Sequence, residues 1–430
     1  MPKLISIFFI LLFSVNSIAQ NKYTISGYIQ DESSGENLIG VSVYEKETFK
    51  GTSSNTYGFY SLTLPQGNYT IVYSYIGMQE QTVNINLNKN IKQNIALSSE
   101  SILTDEVTIS AERKKNLEST KVSQIKLDVQ KVKQLPALMG EIDILKTIQL
   151  LPGVQAGGEG SSGFYVRGGG PDQNLILLDG ATVYNASHLF GFFSVFNADA
   201  IKDINLIKGG MPAQYGGRLA SVLDINMKEG NNKRFGGEGG LGIISSRLTL
   251  EGPIIKDKSS FIISGRRTYI DILSKPFLSE EMKGNGYYFY DLTAKVNYTI
   301  SDKNRVFLSG YFGKDKVNFS APSGNFNINI PWGNSTAVAR WNHLFNNKLF
   351  LNTSVIYSDY SFSMGASQQQ FEFKLSSQVE DWNTKLDFTY LPNNRNTVNF
   401  GAHYTYHIFM PASISGASGE VDFAPETIFK

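Results

Sequence analysis

Apolar and polar positions alternate with a period of two along most of this chain, but three stretches do so in different ways. Residues 22–100 carry short alternating runs separated by turn residues. "YTISGYI" is followed by Asp31–Gly35 and "GFYSLTL" by Pro65–Asn68, and "QTVNINL" and "KQNIAL" keep the same period. In "NYTIVYSYIG", Tyr69, Ile71, Tyr73 and Tyr75 share one face. Strands this short at this spacing predict a small β-sandwich. Residues 101–134 have few large apolar side chains and many Lys, Glu, Ser and Gln, the composition of an extended linker, with one β-prone island at Leu103–Ala111. Residues 135–230 predict a mixed α/β unit. Leu138, Ile142, Leu145 and Ile148 stand at helical spacing before Pro152-Gly153. "NLILLDG", "IKDINLIKGG" and "SVLDINMK" then read as buried strands.

From residue 231 to residue 430 the runs lengthen, with clear strands from about 234. Leu292, Ala294, Val296, Tyr298 and Ile300 oppose Asp291, Thr293, Lys295, Asn297 and Thr299. Trp382, Thr384, Leu386, Phe388 and Tyr390 likewise oppose Asp381, Asn383, Lys385, Asp387 and Thr389, and Val398–Ile408 repeats the pattern. Segments of about ten residues with one apolar and one strongly polar face are the signature of transmembrane β-strands. Short turns at Pro253–Lys258, Ser301–Asn304, Phe345–Lys348 and Leu391–Asn396 alternate with longer polar stretches at Tyr269–Gly286, Lys314–Asn334, Ser363–Val379 and Met410–Glu420. Those longer stretches are expected to be external loops, since barrels alternate short periplasmic turns with long outer loops. The count is about nine strands. Lipid does not tolerate an odd, open sheet, so the 430 residues are expected to be the N-terminal part of a longer chain.

Composition sharpens this. Residues 1–19 hold one Lys, an apolar run from Leu4 to Val15 and small residues at Ser17 and Ala19, which predicts a secretory signal peptide. No cysteine is present, so neither a disulfide framework nor a lipid-bearing cysteine is available. Aromatic residues make up 12% of the chain and charged residues 18%, an exported β-rich composition, and a net charge of +1 argues against a nucleic-acid partner.

Candidate chemistry is sparse. Gly158, Gly160 and Gly163 match GxGxxG, but a dinucleotide site needs that pattern between a strand and a helix, and no Gly-Lys-Ser/Thr follows. A zinc peptidase needs His-x-x-Glu and a distant His; none of His188, His343, His403 and His407 has Glu three residues on. His403 and His407 lie about 13 Å apart along one strand face, too far for one metal, and are expected to be ordinary lumen-facing polar groups. No enzyme activity and no cofactor are expected.

Residues 51–81, "GTSSNTYGFYSLTLPQGNYTIVYSYIGMQEQ", resemble the carboxypeptidase-regulatory-like module, a transthyretin-like sandwich. "LLPGV" (150–154), "FYVRGGG" (164–170), "NLILLDGATVY" (174–184) and "DINLIKGGMPAQYGGRLASVLDINMK" (203–228) resemble, in order, the plug of a TonB-dependent outer-membrane receptor. Gln214 stands where that family more often has Glu, and its secretin-and-TonB signalling domain is not evident. The resemblance implies a mainly β protein: a transthyretin-like sandwich (20–100), a linker (101–134), a mixed α/β plug (135–230) and part of a large antiparallel transmembrane β-barrel (231–430). It marks Arg167, Gly168, Asp179, Gly180, Tyr215, Gly216 and Arg218 as plug-motif residues, with Arg167 expected either at the boundary between plug and barrel or as an exposed loop charge. It also places a TonB box at Thr104, Asp105, Glu106, Val107, Thr108, Ile109, Ser110 and Ala111, the other reading of this island being a minor edge strand of the sandwich. There an exposed strand would add to the sheet of the TonB C-terminal domain in the periplasm. The implied partners are TonB, outer-membrane lipid and a scarce small-molecule or oligomeric nutrient: siderophore, cobalamin, glycan or peptide. A surface lipoprotein partner is left open. The second reading is a non-transporting surface-binding protein, or a defective, truncated receptor.

Overall fold

The structure, a computed structural model, describes residues 21–99, 123–127, 129–135, 140–158, 161–321, 326–368, 371–418 and 421–423. The expected signal peptide, the Thr104–Ala111 segment and Leu138 lie outside these residues.

The first unit is the expected sandwich. Its strands are β1 (Lys22–Asp31), β2 (Ser42–Glu45), β3 (Gly51–Ser53), β4 (Phe59–Pro65), β5 (Gly67–Ser74), β6 (Gln81–Leu87), β7 (Ile91–Lys92) and β8 (Ile95–Leu97). One sheet has β1 between antiparallel β4 and parallel β7 and β8; the other runs β3-β2-β5-β6. Ile25, Ile29, Val43, Leu62, Ile71 and Tyr73 pack between them. Of the face read from the sequence, Ile71 and Tyr73 are buried, and Tyr69 and Tyr75 pack at the rim of the same core. The Tyr60 hydroxyl satisfies itself in the interior, 2.9 Å from the Tyr73 hydroxyl and donating to the Gln93 carbonyl at 2.8 Å. Gly27 is required on β1, because a Cβ there would stand 2.1 Å from the Gln93 carbonyl oxygen.

The second unit holds β9 (Gln124–Leu127), α1 (Val129–Lys133), α2 (Ile144–Gln149), β10 (Val154–Ala156), β11 (Phe164–Val166), β12 (Asn174–Leu178), β13 (Ala181–Thr182), β14 (Ser187–His188), β15 (Phe193–Ser194), β16 (Ile201–Ile207) and β17 (Ser221–Met227). The three strands expected from the sequence are β12, β16 and β17, in a five-stranded sheet ordered β13-β12-β17-β16-β9. Two expectations need correction. Residues 124–127 and 129–133 are not linker: β9 pairs with β16 from Leu127↔Ile204 to Gln124↔Ile207, and Val129 and Val132 join the core. Helix α2 is shorter than its apolar spacing suggests, because Asp143 caps it, its carboxylate accepting from the Lys146 amide at 3.0 Å. Ile142 therefore packs on the core from outside the helix.

The third unit is one antiparallel sheet in chain order: β18 (Gly236–Leu241), β19 (Ser245–Ile255), β20 (Ser259–Thr268), then the single-turn α3 (Ile270–Leu273), β21 (Gly286–Ser301), β22 (Asn304–Ser320), β23 (Phe326–Asn346), β24 (Leu349–Gln368), β25 (Phe371–Asn393), β26 (Asn396–Ser418) and β27 (Val421–Phe423). Ten strands are described against about nine expected; β27 is too short to carry a period. The two faces are as read. Asp291, Thr293 and Lys295 are buried, whereas Leu292 is 47% exposed and Trp382 48%. Aromatic rings ring the apolar face at both ends. Tyr357 lies 4.8 Å from Trp382 at one end, and Phe388 stacks on Phe400 at 4.8 Å at the other. From Trp382 to Tyr390 the apolar face runs about 27 Å along the strand, enough for the apolar band of an outer-membrane barrel.

All four short turns form where expected, but only one of the four long loops does. Residues 269–285 connect β20 to β21. The other three stretches are mostly ladder: β22–β23, β24–β25 and β25–β26 stay paired to Ser320↔Asn327, Gln368↔Phe371 and Phe371↔Ser418. Strands β23 to β26 are 20–23 residues long, about twice the 9–11 residues that span a bilayer.

Candidate functional site

The functional geometry lies where the second unit meets the inward, polar face of the wall. It is built from tight turns. In "NLILLDGATVY", Asp179 (φ 50°) and Gly180 (φ 90°) are both left-handed between Leu178 and Ala181, which pair across β12 and β13. That is a two-residue Asp-Gly hairpin, which needs positive φ at both central positions. "VRGGG" does the same: Arg167 (φ 50°) and Gly168 (φ 88°) form the tip, and Val166 and Gly169 exchange hydrogen bonds of 3.1 and 2.9 Å. The Gly-rich stretch is thus turn and hairpin, and β11, not a helix, follows Gly163.

The Asp179 turn aims its carboxylate into the molecule. One oxygen accepts from the Met227 amide at 2.9 Å, and the other pairs with Lys295 of β21 at 2.9 Å. Lys295 also donates to the Met227 carbonyl at 3.0 Å, and Arg340 of β23 donates to the Asp179 carbonyl at 2.7 Å. Burial disfavours the charge on Asp179, but Lys295 and Arg340 outweigh it and hold the carboxyl below its ordinary range. One turn residue therefore ties two wall strands to the central sheet.

A second cluster lies at the β14–β15 turn. The imidazole of His188 is buried between two wall carboxylates, Nε2 2.8 Å from Asp291 of β21 and Nδ1 2.6 Å from Asp315 of β22. It stacks flat on Phe289 at 4.0 Å. Arg266 of β20 holds the other Asp291 oxygen at 2.6 Å and reaches Glu141 at 3.0 Å and the Ser194 carbonyl at 2.8 Å. Burial lowers the pKa of His188, but the two carboxylates more than reverse this and raise it to about 9, so the ring is a cation at neutral pH. Just beyond, Leu189 (φ 49°) and Phe190 (φ 54°) are bulky residues in the left-handed region, and Phe190 is 69% exposed. Such strain persists only where surrounding contacts impose it.

The other sequence-marked residues divide. Tyr215 donates to Asp224 at 2.8 Å; Asp224 is raised to about 6, chiefly by burial. Arg167 is exposed and donates to Ser123 at 2.9 Å, the second of the two places expected for it. Gly216 is exposed, and Arg218 donates to the neighbouring Gly217 carbonyl at 2.9 Å. His403 and His407 face inward as expected, 3.2 Å from Asn383 and 2.5 Å from Asp381. His188, Arg266 and Lys295 were missed as site residues. The legible signal was charge on the inward positions of wall strands.

The sandwich sits at the opposite end of the wall, the end of the short turns. Tyr28 and Phe59 bury themselves against Leu344, Phe350 and Leu391, with Phe59 stacked on Phe350 at 5.7 Å. The Arg305 guanidinium lies 3.7 Å from the Tyr28 ring centroid and donates to Asn37 at 2.6 Å, and Lys92 pairs with Asp302 at 2.6 Å.

Residues 25–109 match the family model of the CarboxypepD_reg-like domain, and residues 119–222 match the TonB-dependent Receptor Plug Domain. The first match runs through Ile109 and so overlaps the segment expected to bind a periplasmic partner. A receptor of Formosa agariphila, "TonB-dependent receptor P39", is 28% identical over 234 residues, 52% of this chain and 22% of that one. "TonB-dependent receptor SusC" of Bacteroides thetaiotaomicron is 28% identical over 236 residues, with the same shares. The chain thus matches about a fifth of the length of these relatives. Among solved structures, "Copper transporter OprC" superposes with a TM-score of 0.51 at 12% identity, over 71% of this chain and 48% of that one, which is a likeness of fold.

Proposed function

We propose, from the premise that the chain belongs to the TonB-dependent receptor family of the Gram-negative outer membrane, that it takes up a scarce nutrient through a plugged barrel by force from TonB. The observation that carries this reading is the closed seam of Asp179, His188, Lys295 and Arg266. A unit held to a wall by buried ion pairs blocks free diffusion, and passage needs an outside source of work. Residues 104–111 lie between the sandwich and β9, the edge strand of the plug sheet. A partner that pulls there loads the plug directly, and an added strand is the bond suited to it. The receptor performs no chemistry on its ligand; its family is one of receptors and transporters.

Deleting Thr104–Ala111 tests this in cells that carry the complete receptor. Ligand binding at the surface is expected to survive and energised uptake to stop. Loss of both, or of neither, would sink the reading. Because the first family match extends into this segment, the deletion variant is also checked by circular dichroism and thermal midpoint; loss of the sandwich fold would assign the segment to the sandwich and sink the reading.

A further inference from the structure

Above the bilayer the wall turns its chemistry inside out. In the lipid band the inward positions are polar and the outward ones apolar. Pairing of β22 with β23 and of β24 with β25 shows no register shift up to Ser320↔Asn327 and Gln368↔Phe371, so the inward set can be followed to the top of each strand. It reads Val317 and Phe319 on β22, then Phe326, Ile328, Ile330 and Trp332 on β23. On β24 it reads Phe362, Met364, Ala366 and Gln368, and on β25 Phe371, Phe373 and Leu375, with Ser377 below them. The outward set over the same rows includes Lys314, Lys316, Asn327, Asn329, Glu372 and Lys374. On β23–β25 the exchange falls on one row: Ala337, Tyr357 and Trp382 pair outward below it, and Ser335, Asp359 and Glu380 pair outward above it, whereas Phe312 of β22 and Ile408 of β26 still face outward in that row.

Had these rows been ordinary barrel, the apolar set would face lipid. Had they been loops, no phase would persist. A polar outer face means that this part stands in water, where a bare apolar inner face is costly. Its floor is Phe190, the strained and exposed plug residue, whose ring lies 4.7 Å from Trp332. Among the described residues of β22–β26 above the exchange row, Asp315 is the inward charge, and His188 and Tyr287 occupy it.

We propose that this wall and Phe190 form the ligand-binding surface, and that the ligand is uncharged with largely apolar faces. The inference deepens the receptor reading and rests on it. Charged chelates would meet no counter-charge on this wall, and hydroxyl-rich glycans would find few hydrogen-bond partners among Phe, Ile, Leu and Met.

The complete receptor in lipid nanodiscs, with Trp341→Phe and Trp382→Phe to remove the lipid-facing indoles of this region, is titrated with the uncharged aromatic probe N-phenyl-1-naphthylamine. Saturable energy transfer from Trp332, above that of empty discs, is expected. Phe373→Asp and Ile328→Asp, or the milder Phe371→Ser, should weaken it about tenfold or more, and Glu372→Gln and Lys374→Gln should leave it within about twofold. Maltohexaose and ferric citrate should fail to displace the probe. Transfer no greater than in empty discs, indifference to the inward variants, or displacement by either competitor overturns the proposal. Binding of the TonB C-terminal domain is measured on the same discs. If it persists while the probe result fails, the ligand class falls and the receptor reading stands; if it is lost while the probe binds, the receptor reading falls.

Discussion

His188 shows how much one side chain can do when burial and charge meet. Its ring joins two carboxylates from adjacent wall strands to the plug, so removing it leaves both in a dry site. His188→Leu is expected to destabilise the protein by roughly 3–5 kcal/mol, the usual cost of breaking a buried pair, read as a lowered thermal midpoint in detergent. The pH dependence has a definite sign. The folded pKa is raised to about 9, above the free value of about 6.5, so the contribution is complete below pH about 6.5 and is lost as pH climbs through about 9. Wild-type thermal midpoints should fall across that window, and His188→Leu should lack that part of the fall. An unchanged pH slope in the variant would remove His188 as its source. At this scale the Asp179-Gly180 turn was legible, because Asp-Gly between two apolar runs has a backbone reason to be a hairpin. The partner of its carboxylate was not: Lys295 lies more than a hundred residues away, and no local rule selects it among the lysines.

At the scale of the element, the wall strands obey two rules in succession. On β23–β25 period two holds through the exchange, but its phase relative to the apolar set reverses at the Ser335–Asp359–Glu380 row. A search for apolar-out strands therefore ends each strand there and reads the remainder as polar loop. Backbone groups still need partners, and the ladder continues because neighbouring strands supply them. Single cysteines at Asn329, Glu372 and Lys374 should react with a membrane-impermeant maleimide on intact cells, whereas cysteines at Leu292, Val355 and Leu308 should not. Equal labelling of both sets would place the exchange row elsewhere. The stretches 124–127 and 129–133 depart from the expected linker for a related reason. β9 is a four-residue edge strand with Lys in it, and its place is set by the exposed edge of β16 rather than by its own apolarity.

Across the whole molecule, three units close on one another through side chains that none could pair alone. The sandwich docks by Tyr28 and Phe59 at the end of the wall where the short turns lie, and Arg305 covers the Tyr28 ring. A desolvated cation–π contact contributes about 2 kcal/mol, so Arg305→Ala should speed amide exchange at Tyr28 and Phe59 by roughly thirty-fold in the whole protein. Lys46→Ala, at a sandwich turn away from this contact, should change nothing. Uniform protection in both variants would mean that the sandwich keeps its place without Arg305.

The amino-acid order alone determined the class, the succession of sandwich, plug and wall, and which face of each membrane strand is greasy. Those properties follow from short-range period and turn chemistry, which a chain carries wherever it folds. Tertiary structure decided which charges meet, that Arg167 turns away from the wall while His188 enters it, and that the greasy face changes sides above the bilayer. Those outcomes depend on contacts between residues far apart in the chain, and Coulomb attraction in a dry interior has no signature in local spacing.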